Sequence, residues 1–180
     1  TGVTYSPFNL VTPTVVTNPV LKASDIAGVS TRFVADTFLF YESNTWYMFA
    51  EILNNGTNQG DLTVATTPDG LHWNHQQIVL NETWHLSYPY VFKYNDMYYM
   101  IPETYQINEI RLYKATNFPT TWSYVATLVS GRDFVDSSIF RYNGKWWMFT
   151  SDTTNSNCYL YYSDKLTSGW VQHPMSPIVV

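Results

Sequence analysis

Apolar and polar positions alternate along most of this chain, and in three places they do so in the same order. Phe40-Tyr-Glu-Ser-Asn-Thr-Trp-Tyr-Met-Phe49, Phe92-Lys-Tyr-Asn-Asp-Met-Tyr-Tyr-Met-Ile101 and Phe140-Arg-Tyr-Asn-Gly-Lys-Trp-Trp-Met-Phe149 align without a gap. Phe40, Phe92 and Phe140 then coincide, as do Trp46, Tyr98 and Trp146, and Met48, Met100 and Met148. Period-two alternation broken by a polar pair predicts a β-hairpin, because successive side chains of a strand point to opposite faces and a tight loop needs residues that tolerate positive φ. The polar pairs are Ser43-Asn44, Asn95-Asp96 and Asn143-Gly144.

Each hairpin leads through a polar loop to a third strand-like stretch, over 61–66, 111–116 and 159–164, aligned on Leu62, Leu112 and Leu160. A tryptophan follows at Trp73, Trp122 or Trp170, then a fourth stretch over 77–80, 124–129 and 171–180. In the first copy Thr67-Pro-Asp-Gly70 places Pro and Gly where a reverse turn uses them. A repeat of about 50 residues carrying four strands is one blade of a β-propeller. The pattern predicts an all-β fold with three four-stranded blades over 35–86, 87–134 and 135–180, their tryptophans packed between blades.

Residues 1–34 differ, with Thr, Val and Pro dominant from Leu10 to Leu21. Thr14-Val-Val-Thr17 has high strand propensity between Pro13 and Pro19, so an extended segment that completes a blade or is exchanged with a neighbour is expected. Propellers close with roughly four to eight blades. Three copies therefore imply part of a longer ring, an unusually tight ring, or open edges covered by another chain in a head-to-tail assembly.

Composition narrows the function. With 45% apolar residues among 180 the chain can bury one real core, and the 18% aromatic content suits a broad β-protein. A net charge of −5 with no basic stripe argues against nucleic acid, and no stretch resembles a membrane span. The single cysteine, Cys158, rules out an internal disulfide. Asn55-Gly-Thr57 and Asn81-Glu-Thr83 are glycosylation sequons in expected loops, and a start at Thr fits a processed chain, so an extracellular location is expected. His72, His75 and His173 show no metal-ligand spacing, Ser87 has no nucleophile-elbow context, and nothing implies a cofactor.

The candidate chemistry is acidic. Asp36, Tyr88 and Asp136 share one register, four residues before the repeated Phe, where the innermost strand of each blade begins. Glu51 and Glu103 share a second register after the aromatic run, and the third copy has Ser151 there beside Asp152. Two carboxylates across a cleft suffice for glycoside hydrolysis, one as general acid and one as base or nucleophile, which nominates Asp36, Glu103 and Asp136. The same acids can instead accept backbone N–H groups at strand starts and hold the axis together. Tyr88, Glu51, His85 and Arg111 are the expected substrate-binding neighbours, Arg111 by lowering a carboxylate's pKa and His85 by donating to a hydroxyl.

At these residues the chain resembles a known family. Ala35-Asp-Thr-Phe-Leu-Phe40, His85-Leu-Ser-Tyr-Pro-Tyr-Val-Phe92, Tyr99-Met-Ile-Pro-Glu-Thr104, Arg111-Leu-Tyr-Lys-Ala-Thr116, Asp136-Ser-Ser-Ile-Phe140 and Lys145-Trp-Trp-Met-Phe149 are similar to the N-terminal propeller domain of glucosamine inositolphosphorylceramide transferases. The resemblance covers roughly residues 18–180, and the wider fold is that of five-bladed glycosidases such as arabinanases and β-xylosidases. It implies a carbohydrate-linked propeller with an acid at the start of the first blade, which Asp36 meets. Tyr88 stands where the second blade would offer another, so a three-acid constellation does not carry over intact. The leading expectation is an extracellular carbohydrate-associated module, non-catalytic or with a degenerate glycosidase-like axial site. A structural glycoprotein assembled by strand donation and a glycoside hydrolase are the alternatives.

Overall fold

The computed structural model describes residues 14–180. Its first sheet holds β1 (Thr31–Glu42), β2 (Thr45–Asn54), β3 (Gln59–Thr67) and β4 (Asn74–Leu80). The second holds β5 (Ser87–Tyr94), β6 (Met97–Glu103), β7 (Glu109–Asn117) and β8 (Thr121–Ser130). The third holds β9 (Phe134–Tyr142), β10 (Lys145–Asp152), β11 (Tyr159–Ser163) and β12 (Val171–Gln172). Neighbours in each sheet follow sequence order, so each is one meandering antiparallel blade, as the repeat predicts.

The hairpins close where the polar pairs stand: Glu42 faces Thr45, Tyr94 faces Met97 and Tyr142 faces Lys145. All six loop residues have positive φ, from 49° at Asn95 and Asn143 to 78° at Gly144, the conformation that lets a two-residue turn follow the twist of its strands.

Each blade is apolar on both faces, and burial of those faces joins the blades. Phe49, Leu62 and Val64 on the trailing face of blade one pack with Met100, Tyr113 and Trp122 of blade two. On the opposite face of blade two, Ile101, Ile110 and Leu112 pack with Ile139, Trp146, Met148 and Tyr161 of blade three. Trp146 meets the Tyr94 ring edge-on at 4.8 Å, so the repeated aromatic run fills the seams between blades. β1 lies against β5 and β5 against β9, which makes these three the innermost strands.

Two expectations change. The strand expected within Leu10–Leu21 falls partly outside the described residues; from Thr14 to Ser30 the chain makes bends and one 3-10 turn, Ala23–Asp25, without strand pairing. Leu21 and Ile26 instead pack on Met48, Ile52 and Ala65, the face of blade one that in later blades meets the preceding blade. Covering that apolar face outweighs the local strand propensity of Thr14–Thr17. The last strand is also shorter than 171–180, ending at Gln172, because Pro174 and Pro177 cannot donate to a ladder. The chain then returns to Cys158 through Cys158 N–H to Val179 O at 2.9 Å and Ile178 N–H to Cys158 O at 2.8 Å.

Blade three leaves its trailing face open. Phe140 is 42% and Phe149 37% exposed, whereas Phe49 and Ile101, in the register of Phe149, are fully buried. Phe49→Ala should therefore cost about 3–5 kcal/mol and Phe149→Ala under about 1 kcal/mol. Urea unfolding of the two variants checks this, and equal costs would show the trailing face to be covered.

A candidate functional site on the propeller axis

The innermost strands share one irregularity. Pairing is broken between Ala35 and Phe38 in β1, between Ser87 and Tyr90 in β5, and between Val135 and Ser138 in β9. Within each gap sits the register picked out by the repeat, and its residue adopts a left-handed backbone: Asp36 at φ 48°, Tyr88 at 45° and Asp136 at 53°. A non-glycine residue there costs on the order of 1–3 kcal/mol, and such strain is held at sites that re-aim a side chain. Three equivalent bulges at one level of the axis turn three side chains out of the ladder together.

The acids at this level sense one another. Burial, and then the charge of Asp36, raise the Asp136 carboxyl above the ordinary range. Tyr88 lies between them, its hydroxyl 3.0 Å from Ser138 Oγ of blade three and its ring edge-on to Phe38 of blade one at 4.7 Å. Glu103 lies at the end of β6, where Ser87 Oγ donates to Oε1 at 2.9 Å and the Asp136 N–H donates to Oε2 at 3.2 Å. Burial raises the Glu103 carboxyl, with Asp136 adding to the rise, while these donors and His85 oppose it.

His85 stands at the edge of the cluster. Its Nε2 is 3.3 Å from Glu51 Oε1, and its Nδ1 accepts the Gly60 N–H at 3.0 Å. The bond from Gly60 leaves Nε2 as the protonated nitrogen, directed at Glu51. Glu51 raises the His85 pKa, against burial, with smaller contributions from Glu103 and Asp36. Only glycine admits this approach, since a Cβ on Gly60 would sit 2.2 Å from the Leu86 carbonyl oxygen.

Asp36, Tyr88, Glu103 and Asp136 are thus brought together, with His85 and Glu51 beside them. Arg111 is not. It lies on β7, the third strand of its blade, with Nε 2.6 Å from Glu109 Oε2 and its guanidinium over Trp84 at 4.9 Å and Tyr124 at 5.1 Å. One repeat later Arg132 and Tyr159 occupy the registers of Trp84 and Arg111, and the Arg132 guanidinium covers the Tyr159 ring at 4.1 Å. The cation–π pair is kept with its partners exchanged, so Arg111 belongs to the outer packing of the blade.

Sequence reasoning missed Gly60, Ser138 and the role of Ser87, because their part depends on which strands become neighbours. Of the sequons, Asn55 is exposed on the turn after β2, its amide donating to Ser30 Oγ at 3.0 Å. Asn81 is also exposed, and its amide donates to Oδ1 of the buried Asp61 at 2.6 Å. Cavities of about 530 and 480 Å3 open beside the N-terminal segment, and none of Asp36, Glu103 or Asp136 lines either. Among the described residues no group of three or more His, Cys, Asp or Glu is placed to hold a metal ion, and no helix is long and apolar enough to cross a membrane.

Residues 9–180 match the family described as glucosamine inositolphosphorylceramide transferase 1, N-terminal. The relatives of that name from Oryza sativa subsp. japonica and Arabidopsis thaliana are 40% and 37% identical over 172 residues, 91% of this chain. The chain spans less than a quarter of their length, 23% and 22%. Among solved structures, the exo-β-1,3-galactanase from Clostridium thermocellum superposes with a TM-score of 0.72 at 18% identity, over 86% of this chain and 38% of that one. A thermostable family-43 glycoside hydrolase gives 0.70 at 12% identity, over 84% and 57%. The catalytic domain of a Coprinopsis cinerea α-L-arabinofuranosidase gives 0.64 at 15% identity, over 77% and 49%. At such identities the likeness is one of fold, that of propeller glycosidases.

The raised carboxyls of Glu103 and Asp136 have a consequence for stability. A folded-state pKa above the unfolded value favours the protonated form in the fold, so the stability it contributes is complete below about pH 4 and is lost as pH rises through the folded value. Glu103→Gln should therefore be more stable than the wild type at pH 7, with the advantage gone near pH 4. Urea denaturation at both pH values checks this; an equal destabilisation at both would contradict it.

Proposed function

The chain belongs to the family of the N-terminal domain of glucosamine inositolphosphorylceramide transferase 1, and from that premise we propose that it is a saccharide-binding propeller module that does not itself hydrolyse glycosides. The observation that carries this is the repeated left-handed bulge that turns Asp36, Tyr88 and Asp136 out at one level of the axis. Carboxylates accept paired hydroxyls, and a tyrosine offers both a ring face and a hydroxyl, which is the equipment for an uncharged sugar. The Lys and Arg side chains with described partners are held elsewhere, as Lys93 on Glu42, Arg111 on Glu109 and Lys145 on Asp164.

Hydrolysis needs more than this. A glycosidase requires an acid free to protonate the leaving oxygen and a second carboxylate at a set distance, with room for the attacking water. Glu103, whose carboxyl is raised by burial, has both oxygens engaged by Ser87 and the Asp136 amide, and Tyr88 occupies the middle register. In the longer relatives transfer would be the task of another part of the chain, and this module would hold the glycan being extended. An extracellular setting, with a glycan on Asn55, fits the exposure of that residue.

Titration calorimetry against β-1,3-galactan, arabinan and xylan oligosaccharides tests the proposal. One of the series should bind the wild type, and Asp36→Asn and Asp136→Asn should each weaken it by about tenfold or more, the worth of a hydrogen bond to a charged group. Aryl-glycosides should show no turnover. Turnover abolished in Asp36→Asn would replace binding with catalysis.

A further inference from the structure

Bulging β9 takes the Asp136 N–H out of the ladder, since β9 pairs with β10 at Val135 and Ser138 but not between them. The freed N–H lies at an exposed position, where water or a side chain can take it. Glu103 supplies the acceptor from the neighbouring blade, Oε2 on the Asp136 N–H at 3.2 Å and Oε1 on Ser87 Oγ at 2.9 Å. Blade one repeats the forward reach: Glu51, in the register of Glu103, meets His85 on the approach to β5 at 3.3 Å. The third copy has Ser151 in that register, and its hydroxyl donates to the Asn157 carbonyl of its own blade at 2.8 Å. The acid at the end of the second strand thus grips the following blade just where that blade enters the axis.

We propose that Glu103 is a positioning residue, which holds Asp136 in its left-handed conformation so that the Asp136 carboxylate faces Asp36 and the bound saccharide, without touching the saccharide itself. The affinity part of this rests on the axial-site reading above; the backbone part does not. A carboxylate with each oxygen on a separate donor, one in its own blade and one in the next, couples the seam between blades two and three to the aim of Asp136. A glutamine can do the same work, its oxygen accepting the Asp136 N–H and its NH2 group donating to Ser87 Oγ. An alanine cannot.

Amide hydrogen exchange measured by NMR on the wild type, Glu103→Gln and Glu103→Ala, with a saccharide titration of each, tests the proposal. Glu103→Gln should keep wild-type exchange at Asp136 and wild-type affinity. Glu103→Ala should speed exchange at Asp136 by about tenfold or more while amides of β2, β3 and β7 keep their rates, and should weaken the saccharide by a similar factor. The proposal fails if Glu103→Ala leaves Asp136 exchange unchanged or accelerates exchange throughout β9 and β10 with a lower Tm, which is a structural role alone. It fails equally if Glu103→Gln loses as much affinity as Glu103→Ala, which would mean that the charge itself meets the ligand. A localised change at Asp136 with no saccharide bound by any form would uphold the positioning and overturn only the saccharide reading.

Discussion

A four-stranded sheet that is apolar on both faces cannot stand alone in water, and that constraint organises this molecule. Phe49, Leu62 and Val64 on one side of a seam require Met100, Tyr113 and Trp122 on the other, and the next seam repeats the arrangement with Ile101, Leu112, Trp146 and Met148. Burying side chains of this size is worth roughly 1.5–3 kcal/mol each, far more than any polar contact at the surface. The seams hold β1, β5 and β9 side by side, and everything at the axis depends on that alignment. Where a seam lacks a preceding blade, Leu21 and Ile26 cover the face instead.

The strength of the seams permits strain at the axis. A left-handed aspartate or tyrosine is tolerated only where the surroundings over-determine it, and here each bulge lies between a hairpin closed by a tight turn and a seam of buried aromatics. Polar interactions then refine what packing allows. The Glu103 carboxylate satisfies the amide that the β9 bulge frees, and the Glu51–His85 pair fixes the linker into β5 against Gly60. These groups are costly to bury and are retained where they join one blade to the next.

Much of this was legible along the chain. The three copies of the Phe-to-Met segment located the first hairpin of each blade, the polar pairs marked their loops to the residue, and the shared register of Asp36, Tyr88 and Asp136 marked the bulged position of each innermost strand. The family resemblance is confirmed by the match over residues 9–180. Arg111 was misplaced because an arginine one residue before an aligned leucine looks the same whether it faces the axis or the outer packing of the blade. The short β12 and the absence of a strand over residues 14–30 were missed because propensity weighs each residue alone, whereas Pro174 and the uncovered face of blade one act through neighbours.

Period and register are local properties, carried by side chains a few positions apart, and so the sequence by itself determined that the chain is three four-stranded blades with one special position in each innermost strand. The state of that position was not local. Its left-handed backbone follows from a bulge in the pairing of two strands, and the capture of the Asp136 amide by Glu103, 33 residues away, and the bridging of Tyr88 to Ser138, 50 residues away, arise between blades. Only the tertiary structure decided them, because a hydrogen bond across a seam exists only once packing has brought its two strands together.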